Sequence, residues 1–477
     1  MKISFFPRNY LQTRLFEGVG DLLKNTGFEI GLIYPSINNS KVPGFYPESY
    51  VSDLIVSDKI DYPSEFQRIC ETYENVNRII QSDREINYFP FYFGDKAVSR
   101  TEKIKLCCGF FICFEKYIDE FSPDLIVSEM VLGILDGALF EVARSRRIPF
   151  LGVRPSKTKE GIIFCDNPYD RPVFFEKKIH ALKSKDERLL YEEALQIVKE
   201  SVKPNVLPHY MKRSSRKFTI FSFRAVRSLF SVLFLAPKLP EVSIYQHRRL
   251  NAFRETIFKR NNIRGWVFND DEISTICANH KFFVYAAHFE PESSVQVRAF
   301  EFSDQLALIK QISRLLPPDC VLIVKEHRGN QGFRKPSFYK ELSHSYNVFC
   351  ASPNTNLREL IQKSQGVVTL TGRVGLEAMI DKIPVIAFGK TFWTDVKDVC
   401  QPRSPKEISS VLYSLSKKDV SSKGEAGLKE NSELCCLLIA YEQLTYPGCF
   451  IQGADEFTSE ENIENYSNAL KDICSKL

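Results

Sequence analysis

Three short segments in the second half of the sequence place histidine, carboxylate and cationic side chains directly after apolar runs. They read AAHFEPESS from Ala286, VKEHR from Val324 and VVTLTGRVGLEAMI from Val367. The candidate binding residues are His288, Glu290, Glu292, Lys325, His327, Arg328, Thr371, Gly372, Arg373, Val374, Gly375 and Glu377. Histidines, arginines and a glycine turn that converge on one place suit a phosphorylated ligand.

Each segment also has an ordinary structural interpretation. His288 could bond a backbone carbonyl at a strand end, and Glu290 and Glu292 could form a solvated rim. A strand, a glycine turn and a helix start can equally be a plain crossover in an α/β sheet. The spacing of His288, Glu290 and Glu292 could hold a metal ion, but no second cluster of ligands accompanies it, so no metal site is predicted.

The elements that must position these residues alternate between strands and helices. In the second half, apolar runs such as KFFVYAA, CVLIVK, GVVTLTG and IPVIAFG are separated by stretches with helical periodicity. In the first half, KISFF, EIGLIYPS, DLIVSEM and IPFLGVRP alternate with helices in the same way. This alternation predicts parallel sheets with crossover helices, and ligands of such sheets bind at the carboxyl ends of the strands.

The length of 477 residues predicts more than one domain. Residues 1–168 are predicted to form an N-terminal Rossmann-like domain, and residues 268–403 a C-terminal one. Residues 169–267 read as a helical connector, and residues 404–477 as C-terminal helices. The predicted fold class is therefore α/β, with two Rossmann-like domains and a helical insertion.

The charge and the cysteine content of the chain indicate which partners and which cellular compartment to expect. The chain has 64 basic and 59 acidic residues, a net charge of +5 that is small for its length. Because the charge is nearly balanced and no nucleic-acid-binding module appears, no nucleic-acid partner is predicted. The 13 cysteines are scattered without a CxxC pair, and the first residues do not resemble a signal peptide. We therefore expect reduced thiols in a cytoplasmic protein.

One segment, residues 211–237, combines basic and aromatic residues. It reads MKRSSRKFTIFSFRAVRSLFSVLFLAP. A stretch of this kind can lie in the headgroup layer of a membrane, held by apolar burial and by attraction to anionic lipid. It can also be an interdomain helix whose charges face water. The first interpretation predicts peripheral contact with the inner face of the cytoplasmic membrane.

The order of the second-half segments resembles the capsule polysaccharide biosynthesis family of bacterial surface-glycan glycosyltransferases, which includes Kdo transferases that use CMP-Kdo. The resemblance rests on AHFEPESS, DQLALIKQISRLLP, LIVKEH and TGRVGLEAMIDKIPVIAFGKTFW. It implies a GT-B fold, in which two Rossmann-like domains face a cleft and the C-terminal one holds the nucleotide. Residues 1–168 would then be the acceptor-side domain, and residues 268–403 the nucleotide-sugar-binding domain. It also implies transfer of a sugar, CMP-linked Kdo or a related acidic sugar, to a glycan or glycolipid acceptor in capsule or lipopolysaccharide assembly.

The resemblance assigns roles to the candidate residues. The turn at 371–375 would meet the donor phosphate at a helix N-terminus, Glu377 would bind the ribose hydroxyls, and His327 would hydrogen-bond the leaving phosphate. Two departures add arginines, because the usual KEHP reads KEHR with Arg328 and the usual Gly-Thr-Val reads Gly-Arg-Val with Arg373. Either arginine could strengthen phosphate binding or indicate a changed donor.

Sugar transfer also needs a carboxylate that activates the acceptor hydroxyl or assists the donor carbon. Glu129, which follows the buried run DLIVS, and Glu292 rank first, and Glu290 and Asp136 are further candidates. His327 completes the predicted catalytic set. Fixed cations can take the leaving charge, so no cofactor besides the nucleotide-sugar donor is predicted. Inversion and retention at the anomeric carbon both remain open.

Two other functions fit the same sequence. A nucleotide-sugar 2-epimerase would share two Rossmann-like domains and a similar glycine turn. A non-catalytic nucleotide-sugar-binding partner of a glycan assembly complex would keep the binding residues and lack activity. Nucleotide binding without turnover would favour the second of these.

Overall fold

The strands of the chain form two six-stranded sheets in the residues that the structure describes. The computed structural model describes residues 1–8, 10–34, 48–50, 60–87, 98–201, 265–327, 330, 334–418, 426–451 and 454–477. The N-terminal sheet has the order β3-β2-β1-β4-β5-β6, and the C-terminal sheet has the order β12-β11-β10-β7-β8-β9. Both have the strand order of a doubly wound Rossmann-like domain.

The N-terminal sheet is parallel except at one edge. Its strands are β1 Lys2–Phe6, β2 Glu29–Tyr34, β3 Glu48–Tyr50, β4 Leu125–Glu129, β5 Phe150–Pro155 and β6 Ile162–Cys165. Strand β6 runs antiparallel to β5, with Gly152 opposite Cys165. Successive side chains point to opposite faces. Phe5 packs in the core cluster on one face and Phe6 in the cluster on the other.

The C-terminal sheet is parallel throughout. Its strands are β7 Lys281–Ala286, β8 Cys320–Lys325, β9 Val348–Ala351, β10 Gly366–Thr369, β11 Val385–Ala387 and β12 Val399–Cys400. Central strand β7 lies between β10 and β8, with Val284 paired to both Val367 and Ile323. Its apolar side chains are buried on both faces, as is usual for a parallel sheet covered by helices.

Helices connect the strands and cover both sheets. In the N-terminal half they are α1 Tyr10–Lys24, α2 Tyr62–Thr72, α3 Val76–Ser82, α4 Arg84–Asn87, α5 Arg100–Phe121, α6 Ile134–Ser145, α7 Phe175–Leu182 and α8 Glu187–Ser201. In the C-terminal half they are α9 Asp270–Asn279, α10 Ser293–Gln296, α11 Gln305–Leu315, α12 Pro336–Ser343, α13 Leu357–Lys363, α14 Arg373–Ile380, α15 Pro405–Ser416, α16 Ala426–Glu430, α17 Ser432–Gln443 and α18 Glu460–Cys474. Short 3₁₀ turns lie at Phe300–Phe302 and Asp455–Thr458.

The C-terminal helices divide between the two domains. Helix α15 packs in the core of the C-terminal sheet through Ile408 and Leu412. Helix α18 contacts α1 instead, and Tyr466 and Leu470 join the core of the N-terminal domain. The chain therefore returns to its first domain after it has completed the second.

The predicted α/β class with two Rossmann-like domains is confirmed by these two sheets. The alternating pattern did not predict the antiparallel edge strand β6. Residues 202–264, which include the basic segment 211–237, lie outside the described residues. Within the part of the chain that the structure describes, no helix combines the length and apolarity needed to cross a membrane. The domain boundaries stay predictions.

Candidate functional site

The order of the C-terminal sheet reverses between β7 and β10, and ligands of doubly wound sheets bind at such a switch point. His288 follows β7, and Thr371 follows β10. Nε2 of His288 accepts a hydrogen bond from the backbone N–H of Thr371 at 3.2 Å. Two of the three sequence-predicted segments therefore meet directly at the switch point.

The glycine turn after β10 leads into helix α14. Gly372 is the N-cap residue, and its N–H donates to Oγ1 of Thr369 at 3.2 Å. A Cβ atom at Gly372 would lie 2.9 Å from that oxygen and 3.3 Å from Nε2 of His288. Glycine therefore allows the turn to approach the histidine. The N–H groups of Arg373 and Val374 open the helix without intrahelical acceptors, as an anion-binding helix end requires.

The other residues of the turn have structural contacts of their own. A Cβ atom at Gly375 would overlap the indole ring of Trp393, so this glycine makes room for a buried tryptophan. Nε of Arg373 lies 3.3 Å from Oε1 of Glu377, one helical turn further on. Burial raises the pKa of Glu377, whose side chain is still 38% exposed, while Arg373 opposes the rise. The pair forms the polar face of α14.

His288 is neutral and has a defined tautomer. Burial lowers its pKa to about 4, although the nearby carboxylate of Glu292 opposes this effect. Because Nε2 accepts from Thr371, the ring proton is on Nδ1. Nδ1 is buried and has no hydrogen-bond partner among the described residues. His288 therefore presents a buried N–H donor at the switch point.

Glu292 occupies the N-cap position of the short helix α10. Burial would raise its pKa, but the nearby hydroxyl of Ser294 and the charges of Arg298 and Lys157 lower it. Glu292 is therefore a carboxylate at neutral pH. An ionised carboxylate can accept a proton from a hydroxyl or stabilise developing positive charge on a sugar carbon.

The segment after β8 contributes one histidine to this region and fixes its lysine elsewhere. Burial lowers the pKa of His327, against the charges of Glu292 and Glu326, so His327 is also neutral. Its ring packs edge-on against Phe289, with centroids 6.2 Å apart. Nζ of Lys325 donates to the carbonyl oxygen of Pro353 at 3.0 Å and is buried there.

A buried arginine, Arg334, ties the segments after β7 and β8 together. It donates to Oε2 of Glu326 at 2.7 Å and to the carbonyl oxygen of His288 at 2.8 Å, and it forms an ion pair with Glu290. Burial raises the pKa of Glu290, and Arg334 opposes the rise. This pairing gives Glu290 a positioning role, in contrast to Glu292.

The N-terminal domain contributes two carboxylates at and after the end of β4, and residues that follow β1 hold both of them. Oε2 of Glu129 accepts a hydrogen bond from Nε2 of Gln12 at 2.6 Å. Asp136, on α6, is fully buried, and its Oδ1 lies 3.2 Å from Nε of Arg8. Burial and, to a smaller extent, the charge of Glu129 raise the pKa of Asp136, Arg8 lowers it, and the resulting value is about 6. Asp136 therefore helps to hold the carboxyl end of β4 in position.

Three charged residues join the domains at the site. Asp170 forms an ion pair with Arg154 at 2.9 Å and a second one with Arg298. Burial would raise the pKa of Asp170, but the two guanidinium groups hold it at about 2. The charges of Glu292 and Glu129, the two carboxylates ranked first from the sequence, both act on Arg154.

The structure thus brings together His288, Glu292, His327 and the turn at 371–375. It places Glu129 on the facing domain, and Arg328 lies outside the described residues. Sequence reasoning missed the three residues Arg154, Asp170 and Arg298. Arg154 ends strand β5, so the rule that ligands bind at strand ends could have identified it. Asp170 and Arg298 carry no such signal.

No group of three potential metal ligands occurs among the described residues. A large open depression of about 1030 Å³ is lined by Leu315 and residues of α15. This depression shares no residue with the site formed by His288, Glu292, His327 and the turn at 371–375.

Comparison with known proteins agrees with the resemblance seen in the motifs. Residues 205–407 match the family model described as capsule polysaccharide biosynthesis protein. No curated protein matches the chain.

Solved structures also resemble the chain. A KpsC beta Kdo 2,7 transferase from Thermosulfurimonas dismutans is 12% identical, with a TM-score of 0.35, over 81% of this chain and 94% of that one. A UDP-GlcNAc 2-epimerase from Methanocaldococcus jannaschii, in complex with UDP-GlcNAc and UDP, is 11% identical, with a TM-score of 0.27, over 92% and 98%. A sucrose-phosphate synthase from Thermosynechococcus elongatus is 9% identical, with a TM-score of 0.29, over all of both chains.

Proposed function

We propose, from the premise that residues 205–407 belong to the capsule polysaccharide biosynthesis family, that the chain is a glycosyltransferase of bacterial surface polysaccharide assembly. It transfers a sugar from a nucleotide-activated donor to a glycan or glycolipid acceptor. The observation that carries the proposal is the junction of His288, Thr371 and Glu292 at the switch point. A neutral N–H donor, a helix N-terminus and an ionised carboxylate suit a phosphate-linked sugar.

The proposed reaction moves one proton and exchanges one bond. The acceptor hydroxyl gives its proton to a carboxylate, either Glu292 or Glu129, and its oxygen bonds to the anomeric carbon. The bond from that carbon to the phosphate oxygen breaks, and the electron pair leaves with the nucleotide. His327 and the N-terminus of α14 would stabilise the leaving phosphate. The face of the anomeric carbon that the acceptor oxygen attacks determines whether the configuration is inverted or retained.

An acidic donor, CMP-linked Kdo or a related sugar, is the proposed specificity. It is supported by the charges around Glu292. Arg154, Arg298 and Lys157 act on this region together with the carboxylates of Asp170, Glu292 and Glu129. Guanidinium groups in such a cluster can form paired hydrogen bonds with the carboxylate of an acidic sugar. The basic segment 211–237 would bring the enzyme to a lipid-linked acceptor at the inner membrane face.

Thermal unfolding with CMP, UDP, GDP and CDP-glycerol tests the proposal, because a ligand that binds the folded state raises the midpoint. We expect a shift selective for CMP that is lost in His327→Ala and in Glu377→Ala. Absence of a shift with every nucleotide would rule out the transferase and the epimerase together. Nucleotide binding with no turnover of any donor would favour the non-catalytic binding partner.

A further inference from the structure

A cavity of about 290 Å³ lies at the carboxyl ends of β4 and β5. The strand ends supply Glu129, Met130, Val153, Arg154 and Pro155 to its lining, and Phe450 and Ile451 complete it. These last two residues belong to the segment that returns from the C-terminal domain. The cavity is therefore built by the first and last parts of the chain together.

Glu129 and Arg154, the two charged residues of the cavity, are each held in place by a neighbouring residue. Gln12 fixes the carboxylate of Glu129 at 2.6 Å. Asp170 fixes the guanidinium of Arg154 at 2.9 Å. The remaining wall is apolar, because Met130, Val153 and the ring of Phe450 contribute to it. A carboxylate, a guanidinium group and an aromatic ring in one cavity suit a sugar, which has hydroxyl groups at its edge and an apolar face.

A buried hydroxyl group lies beside this cavity. Tyr466 is fully buried, and its hydroxyl has no hydrogen-bond partner among the described residues. Its ring lies 6.4 Å from that of Phe450, which lines the cavity. Burial raises the pKa of Tyr466, and the charges of Cys449 and Glu129 raise it further. Tyr466 does not line the cavity, and its ring supports the wall at Phe450.

The cavity adjoins the donor half of the site through Arg154. This arginine lines the cavity and also interacts electrostatically with Glu292 in the C-terminal domain. A ligand in the cavity would therefore lie on the N-terminal side of the carboxylate proposed for the reaction. The volume of the cavity is near the lower end of the range for ligand pockets, so the cavity can hold only a small group such as one sugar ring.

We propose that this cavity binds the terminal sugar ring of the acceptor, with a hydroxyl group on Glu129, a polar oxygen on Arg154 and the apolar face on Phe450. The inference rests on the proposed function. It adds that the returning C-terminal segment, through Phe450 and Ile451, determines which acceptor is accepted.

Saturation-transfer NMR with one-ring probes tests this assignment. The probes are methyl glycosides of a hexose, an N-acetylhexosamine, a heptose and an ulosonic acid. We expect at least one to bind the wild-type chain, and its Kd to rise about fivefold in Phe450→Ala, because an aromatic contact contributes about 1 kcal/mol. Glu129→Gln should weaken binding of the same probe. Phe457→Leu is the packing control, because Phe457 touches Phe450 and does not line the cavity.

Two outcomes overturn the assignment: no glycoside binds the wild-type chain, or Phe450→Ala and Phe457→Leu bind it equally well. Nucleotide-induced thermal shifts, measured on the same samples, separate this result from failure of the proposed function. If CMP still shifts the midpoint while no glycoside binds, only the acceptor cavity is disproved. If no nucleotide binds, the proposed function itself fails.

Discussion

Nε2 of His288 accepts the backbone N–H of Thr371 across the point where the C-terminal sheet reverses its order. The bond joins two chain segments that are 83 residues apart. It fixes the histidine tautomer and the position of the glycine turn at the same time. The ring proton is then on Nδ1, which has no hydrogen-bond partner among the described residues.

Replacing His288 should weaken nucleotide binding in a graded way. His288→Ala leaves the buried N–H of Thr371 without its acceptor, which costs about 1–3 kcal/mol, and removes the Nδ1 donor. His288→Gln can still accept from Thr371 and should retain more affinity. Titration calorimetry with CMP measures the difference. Equal affinity in wild-type and His288→Ala protein would show that the turn does not depend on this bond.

The depressed pKa of His288 predicts a pH dependence of stability. The pKa is about 4 in the folded chain and 6.5 ordinarily. Above pH 6.5 His288 is neutral in both the folded and the unfolded chain, so the folded state loses no stability. As pH falls from 6.5 to 4, the unfolded state takes up the proton first, so the folded state loses up to about 3 kcal/mol.

Urea unfolding of wild-type and His288→Gln protein at pH 7, 6 and 5 measures this loss. The variant lacks the titrating group. The wild-type protein should therefore lose stability relative to the variant steadily as pH falls. Comparing the two proteins cancels the opposite contribution of Asp136, whose raised pKa favours stability at low pH. A difference independent of pH would contradict the assignment of a neutral buried His288.

Glu292 and Glu290 should respond differently to the same substitution. Glu292→Gln removes an ionised carboxylate from the site and should lower donor turnover about 10²–10⁴-fold with nucleotide binding retained. Glu290→Gln removes a partner of the buried Arg334 and should mainly lower the urea midpoint. CMP release from CMP-Kdo and urea unfolding give the two readouts. A stable Glu290→Gln protein without turnover would reverse these roles.

The interdomain ion cluster should make a large contribution to stability. Asp170→Asn leaves Arg154 and Arg298 buried without their shared carboxylate, which should cost about 3–5 kcal/mol. Asp395→Asn is the matched control, because Asp395 also pairs with an arginine of the other domain, Arg171, at 2.5 Å, but is 54% exposed. Its loss should cost less than about 1 kcal/mol. Equal urea midpoints for the two variants would contradict this contrast.

A side chain at position 375 should lower the stability of the protein, because Trp393 packs directly against Gly375. Gly375→Ala places a methyl group into the indole ring and should lower the thermal midpoint and change tryptophan fluorescence. In Trp393→Phe protein the same substitution should cost less, because the ring it meets is smaller. A double-mutant cycle measures the coupling. Additive effects would show that the glycine is required for another reason, such as contact with the donor.

The sequence by itself determined the alternating elements and the residues at strand ends. Apolar runs of β-branched residues separated by helical periods predict parallel sheets, because side-chain periodicity is a local property. For the same reason His288, Glu292, His327 and the turn at 371–375 could be assigned to one edge of one sheet.

Only the tertiary structure decided which of these side chains face a ligand and which support the others. Glu290 and Glu292 are two positions apart, yet Arg334 binds the first and the second lies near Arg298. Arg298 in turn meets Asp170 from 128 residues away. The returning segment at Phe450 likewise closes a cavity at Glu129. Such contacts depend on how separate elements pack, and local periodicity carries no information about that packing.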